Sequence, residues 1–170
     1  MMGKTVIVEP YNEAWTSDFQ AIRDELADAL GSLALRIEHV GSTSVKGLSA
    51  KPIIDIDVVI GDLSLLGDVI KALGKAGYHH EGDLGIKGRE AFKYEGKEHL
   101  RKHHLYVCAE DSAELKRHIT FRDYLRSHPE AVMEYSRIKE EGAALFHDDM
   151  GKYIEYKSPF IEKIYGELGI

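Results

Sequence analysis

The segment Pro52-Ile53-Ile54-Asp55-Ile56-Asp57-Val58-Val59-Ile60 constrains this chain more than any other. Its Ile and Val residues are strong β-formers, so it reads as a strand. Successive side chains on a strand alternate faces. Asp55 and Asp57 therefore point one way, and Ile54, Ile56 and Val58 point the other way, into a core. Two ionised carboxylates about 7 Å apart along a strand repel each other. An Asp-x-Asp in a polar strand is often merely solvated, but this pair stands in one of the most apolar stretches of the chain. Burying it unpaired would be costly, so a cation is expected to offset it. Mg²⁺ suits such a pair because it prefers carboxylates, water and substrate phosphates in octahedral geometry. Two aspartates can hold one or two ions over an in-line phosphoryl displacement.

Upstream lies Gly41-Ser42-Thr43-Ser44, at the end of a second β-forming run, Leu35 to Val40. Gly41 lets the backbone approach a phosphate closely. The hydroxyls of Ser42, Thr43 and Ser44, with the N–H groups of a following helical turn, can cradle an anion. Alone, a Gly-Ser after a strand is usually only a turn. Twelve residues separate Ser42 from Asp55. That allows one turn of helix and a return to a neighbouring strand, which would bring the two elements together.

A chain of 170 residues with 44% hydrophobic and 30% charged residues fits one globular domain with a real core. Its sheet region is expected over about 1–110 and a helical tail over about 111–170. No apolar run reaches the roughly 20 residues of a membrane span. The opening run Val6-Ile7-Val8 is too short for a signal peptide. A single cysteine, Cys108, excludes an internal disulfide. These absences suggest a cytoplasmic protein with no membrane partner. The net charge of −7 argues against an extended nucleic-acid surface. Charge is uneven, however: residues 87 to 104 hold six Lys/Arg against three Glu, leaving the rest at −10. Such a segment suits a compact anionic ligand, or is a solvated hairpin of mixed charge.

Elsewhere the pattern is helical or weakly β. Val6-Ile7-Val8 ends at Glu9-Pro10-Tyr11, and Asn12 can cap a helix whose buried face is Trp15, Phe19, Ile22, Leu26 and Leu30. Gly31 stops it. Asp62 can cap a second helix with Leu65, Leu66, Val69, Ile70 and Leu73 inside, ended by Gly77. Weaker strands fit Tyr78 to Glu81 and Ala91 to Tyr94, and a clearer one fits His103 to Ala109. After Ser112 the chain turns helical. Pro129 fits a first helical turn, and Pro159 predicts a kink or a restart capped by Ser158. This order reads as α+β, a mixed α/β sheet flanked by helices. The pairs His79-His80 and His103-His104 cannot each grip one zinc ion, because adjacent strand side chains point apart.

The block Ile37-Glu38-His39-Val40-Gly41-Ser42-Thr43-Ser44-Val45-Lys46-Gly47-Leu48, followed by Ala50-Lys51-Pro52-Ile53-Ile54-Asp55-Ile56-Asp57, closely resembles the GrpB family. That family looks like a branch of the nucleotidyltransferase (polymerase β-like) superfamily. The resemblance covers nearly the whole chain. It takes in Pro10-Tyr11 with Trp15 and Phe19, then His103-His104-Leu105, Phe121 to Arg126 with His128-Pro129, and Tyr153 with Lys157. The family usually has Pro at the position of Lys46 and often has His at that of Tyr106.

The resemblance implies a nucleotidyltransferase-like mixed sheet with a C-terminal helical region. It also implies a metal-dependent transfer of a nucleoside monophosphate from a nucleoside triphosphate to an unknown acceptor. Asp55 and Asp57 would hold Mg²⁺ or Mn²⁺, and Gly41, Ser42 and Thr43 the phosphates. Lys51 either contacts a phosphate or is solvated. Arg89, Arg122 and Lys157, which match family positions, could together bind the triphosphate. Tyr153 either stacks on a base or packs in the core. Many active relatives carry a third carboxylate on a neighbouring strand, and the strand from His103 to Ala109 has none. His104 could accept a proton, ligate the metal, or simply hydrogen-bond the aspartates. Glu38 or a residue of the tail could also fill the role. Two rivals keep the same site: a nucleotide- or phosphate-binding protein without turnover, and a metal-dependent phosphoesterase using the aspartates with His104.

Overall fold

A computed structural model of the chain describes residues 5–170. Its elements are α1 (Ala14–Leu30), β1 (Arg36–Val40), β2 (Ile54–Ile60), α2 (Leu66–Lys75), β3 (Tyr78–Gly82), β4 (Glu90–Tyr94) and β5 (His103–Ala109). Three helices follow: α3 (Ala113–Arg126), α4 (Pro129–Leu145) and α5 (Met150–Leu168). The expected order of elements is the observed one. The strands form one mixed sheet in the order β1-β2-β5-β4-β3. Only β2 and β5 run parallel; the other neighbours are antiparallel.

One face of the sheet is covered as the periodicity predicts. Trp15, Ile22, Leu26 and Leu30 of α1, with Val69 and Leu73 of α2, pack on Ile54, Ile56, Val58 and Ile60 of β2 and on Leu105 and Val107 of β5. Asn12 accepts from Ala14 N at the start of α1. Asp62 accepts from Ser64 N ahead of a short 3₁₀ turn that leads into α2. The opposite face carries the aspartates and is partly roofed by α3, where Leu115 meets Val59 and Cys108. A second apolar cluster joins Val45 and Leu48 to Leu125, Val132, Tyr135, Phe160 and Ile164. The helices after β5 are therefore packed against the loop that follows β1.

The apolar run Val6-Ile7-Val8 joins no strand. It lies extended, tied by Val6 N to His147 O at 2.8 Å, and Glu9 makes a single bridge to Ala50. The restart capped by Ser158 needs correction, because α5 runs unbroken through Pro159. Ser158 is not a cap; its hydroxyl donates to Ile154 O at 2.6 Å. A proline deletes one backbone hydrogen bond. Here Tyr153, Phe160 and Ile164 are buried on either side of it, and that packing holds the helix together. No helix among the described residues is long and apolar enough to cross a membrane.

Candidate functional site

The strand register builds the site. Asp55 lies between Val40 of β1 and His104 of β5, and Asp57 lies between Glu38 and Tyr106. The two carboxylates share a face but not an environment. Asp55 is one-third exposed, and its Oδ1 meets His104 Nδ1 at 3.0 Å. Asp57 is fully buried beneath α3.

Its partner there is His118, which sequence reasoning missed. His118 Nδ1 lies 2.6 Å from Asp57 Oδ2, and its Nε2 lies 3.1 Å from Glu114 Oε1. Both ring nitrogens face carboxylates, which only accept, so the ring is held doubly protonated. Burial alone would lower the His118 pKa; the hydrogen bond and charge of Asp57, with Glu114, outweigh it and raise it. Burial pushes the Asp57 carboxyl up, and His118 pulls it back. The other oxygen, Asp57 Oδ1, is buried with no hydrogen-bond partner. Glu114 and His118 stand four apart at the start of the helix after β5. That i,i+4 spacing was the available signal.

The Gly-Ser turn approaches Asp55 from β1. Gly41 has φ +73°, and a Cβ there would overlap Asp55 Oδ2 and sit 3.0 Å from its Cβ and Cγ. Glycine is thus required both for the backbone angle and for the close approach. Ser42–Ser44 forms one 3₁₀ turn. Thr43 Oγ1 is 2.9 Å from His39 Nε2, and the His39 ring stacks on Phe19 at 4.6 Å.

Burial, then the charges of Arg126 and Arg122, pulls His39 from its ordinary 6.5 down to about 4. Its neutral form is therefore favoured by folding. That contribution is present above pH 6.5 and lost as pH falls through 4. His39→Gln, which keeps a donor for Thr43, is expected to flatten the decline in melting temperature between pH 6.5 and 4. The effect is at most about 3 kcal/mol. An unchanged slope would show that His39 protonates freely in the folded chain.

The basic residues divide between two cavities that both touch Ser42 and Asp55. One is lined by Lys51, Lys139, Tyr153, Lys157, Thr43 and His104. The other is lined by Arg89, Arg122, Tyr106, His118 and apolar side chains of α3 and α4. Arg89, Arg122 and Lys157 thus do not form one cluster. Arg122 is already engaged: its Nη1 donates to Glu38 Oε2 at 2.7 Å and to His39 O at 3.0 Å. With Arg126, whose Nε and Nη2 donate to Ser44 O, it clamps the Gly-Ser turn from the α3 side. Glu38 is correspondingly spent on Arg122.

Lys139 is the second residue that sequence reasoning missed. It is 3% exposed; its Nζ donates to Ser42 Oγ and to Ser49 O and lies 4.4 Å from the Tyr135 ring centroid. Burial, then the charge of Lys157, holds its pKa well below the usual lysine value. Lys157 lies over the Tyr153 ring at 5.0 Å, and burial and Lys51 lower it to about 8. The sequence signal for Lys139 is its place on the buried stripe Val132, Tyr135, Lys139, Gly142 of α4. Gly142 lets α5 approach closely, since a Cβ there would lie 2.8 Å from Tyr156 and 3.2 Å from Tyr153. That crossing seats Tyr153 as the buried floor beneath Lys51 and Lys157.

Comparison with known proteins agrees with this architecture. The crystal structure of conserved protein GrpB from Enterococcus faecalis superposes with a TM-score of 0.82 at 33% identity, covering 95% of this chain and 96% of that one. UPF0157 protein YqkA of Bacillus subtilis (strain 168) is 34% identical over 89% of this chain, which spans only 44% of that relative's length. The Cid1 poly(U) polymerase, solved with MgGTP bound, shares the fold over 76% of this chain and 42% of its own. The TM-score is 0.56 and the identity 12%. A family model described as GrpB protein matches residues 5–167. The chain belongs to the GrpB family, and its fold is of the nucleotidyltransferase type.

Proposed function

We propose that this chain transfers a nucleoside monophosphate from a nucleoside triphosphate to an acceptor, with a divalent cation on Asp55 and Asp57. The observation that carries the reading is the cavity in which Lys51, Lys139 and Lys157 face Ser42 and Asp55. Three amines beside a carboxylate-bearing strand match a polyanion that itself carries a cation.

Two features fit such a cation. Asp57 Oδ1 is buried without a hydrogen-bond partner, and Asp55 shares its face. Among the described residues no group of three or more His, Cys, Asp or Glu is arranged around one point to hold an ion. The reading therefore rests on the two aspartates, with phosphate oxygens and water completing the shell of Mg²⁺ or Mn²⁺. A cation so held would supply Lewis-acid neutralisation of the phosphates. The chain's own part is positional. Lys51, Lys139 and Lys157 bind the outer phosphates, Ser42 donates its hydroxyl, and Gly41 leaves room for Asp55. His118 and His104 orient the two carboxylates.

The hold of His118 and Glu114 on Asp57 also favours a second reading: nucleotide binding without turnover. Titration calorimetry with a non-hydrolysable ATP analogue, with and without Mg²⁺, tests the shared part. Asp55→Ala/Asp57→Ala is expected to weaken Mg²⁺-dependent binding by about 100-fold, as loss of charged contacts does. Unchanged binding contradicts the site. Tight binding of ATP with no pyrophosphate release across a panel of hydroxyl acceptors supports the second reading.

A further inference from the structure

The cavity beside Arg89 is left unused by the triphosphate site proposed above. It has a volume of ≈ 240 Å³, and Tyr106, Phe121, Leu125, Tyr135 and Tyr165 are among its walls. It meets the lysine-lined cavity at Ser42 and Asp55, so Asp55 is reached from both sides.

Arg89 is the feature that needs a partner. A turn locked by Ser112, whose hydroxyl donates to Gly88 O at 2.7 Å, delivers it to the start of β4. Its guanidinium lies on the Tyr106 ring, 4.2 Å from the centroid. Its Nε is buried without a hydrogen-bond partner, and no carboxylate among the described residues pairs with it. Arg122, the other guanidinium of this cavity, is spent on Glu38 and His39 O. Aromatic walls call for a flat apolar body. One uncommitted planar fork calls for a planar anion, which a carboxylate satisfies with two parallel hydrogen bonds. Asp55 on the same wall disfavours the double charge of a phosphate. The volume lies below the roughly 300–1,000 Å³ of common ligand pockets, so the occupant is a small molecule and not a polynucleotide.

We infer, on the basis of the nucleotidyl-transfer reading above, that this is the acceptor pocket and that the acceptor is a small hydroxylated aryl carboxylate. Its carboxylate sits on Arg89 and its hydroxyl at the Asp55 end. In the step, the hydroxyl oxygen bonds to the α-phosphorus of the nucleoside triphosphate. The bond from that phosphorus to the oxygen bridging to the β-phosphate breaks, pyrophosphate leaves, and the hydroxyl proton passes to solvent. The product is a nucleoside monophosphate ester of the acceptor.

The test uses 4-hydroxybenzoate and its uncharged analogue 4-hydroxybenzamide as probes. Each is titrated into the whole chain by ligand-observed NMR, with and without Mg²⁺ and a non-hydrolysable ATP analogue. The benzoate is expected to bind at least about tenfold more tightly than the amide, as one charged hydrogen-bonded pair implies. Arg89→Met is expected to bring the two within about twofold, with retained amide binding showing an intact pocket; Arg89→Lys should recover part of the preference. Equal binding of the two probes, no binding of either, or displacement of the ATP analogue by the benzoate overturns the inference. Failure of the ATP analogue to bind at all overturns the nucleotide reading instead. The probe preference measured without nucleotide keeps the two failures separate.

Discussion

Lys139→Met is expected to raise the melting temperature and, in the same protein, to remove most of the affinity for a nucleoside triphosphate. Lys139 is buried within α4 with Ser42, Ser49 and the face of Tyr135 as partners, and no carboxylate lies within ion-pair distance among the described residues. Methionine has nearly the same length and carries no charge. Burying an amine whose hydrogen-bonding groups are only partly paired costs about 1–3 kcal/mol, a cost that an apolar side chain of like volume does not carry. In a domain of this size that is roughly 2–10 °C. The pH dependence identifies the cause. Because burial depresses the Lys139 pKa, the unfolded chain takes up a proton that the folded chain does not, from about the ordinary lysine value downward. Stability contributed by the group is therefore present at high pH and lost as pH falls. The advantage of the Met variant should be larger at pH 7 than at pH 10. A bound triphosphate would draw a proton onto Lys139, so affinity should fall by about 10- to 100-fold when the resulting charge-assisted hydrogen bond is lost. A variant that loses both stability and binding would show that Lys139 is simply structural.

Gly41→Ala should damage the site and the fold together. The φ of +73° with ψ −177° belongs to a backbone region that essentially only glycine adopts, and the added methyl overlaps the Asp55 carboxylate. A loss of about 2–4 kcal/mol is expected, or roughly 5–15 °C in melting temperature. Nucleotide binding should go with it, because Asp55 must move. The two causes can be separated. Adding Asp55→Ala removes the overlapping oxygen but not the backbone strain, so the double variant should be more stable than Gly41→Ala alone. Strict additivity of the two changes would show that the methyl and the carboxylate never meet.

The sequence made the sheet and one of its faces legible. Trp15, Ile22, Leu26 and Leu30 recur at helical spacing, Ile54, Ile56 and Val58 alternate along a strand, and both patterns report local geometry. Gly41, Ser42, Asp55 and Asp57 were legible for the same reason: each pair is set by one turn or one strand. The partners of those residues were not. His118 reaches Asp57 across 61 residues and Lys139 reaches Ser42 across 97. Those meetings depend on the parallel pairing of β2 with β5 and on the packing of α3, α4 and α5 against the Gly-Ser loop. Periodicity along a segment carries no information about such long-range contacts. Arg89, Arg122 and Lys157 illustrate the same limit. Their charge was visible, but their separation into two cavities and the pairing of Arg122 with Glu38 follow from tertiary packing.

The central claim is that Asp55, Asp57 and the three lysines form one site for a cation-bearing triphosphate. A crystal structure of the chain grown with Mg²⁺ and a non-hydrolysable nucleoside triphosphate tests it most directly. The expected result is phosphate oxygens on Ser42, Lys51, Lys139 and Lys157, with a cation bridging them to Asp55 and Asp57. Phosphates bound elsewhere, or bound there with the aspartates left to His104 and His118 alone, would contradict it.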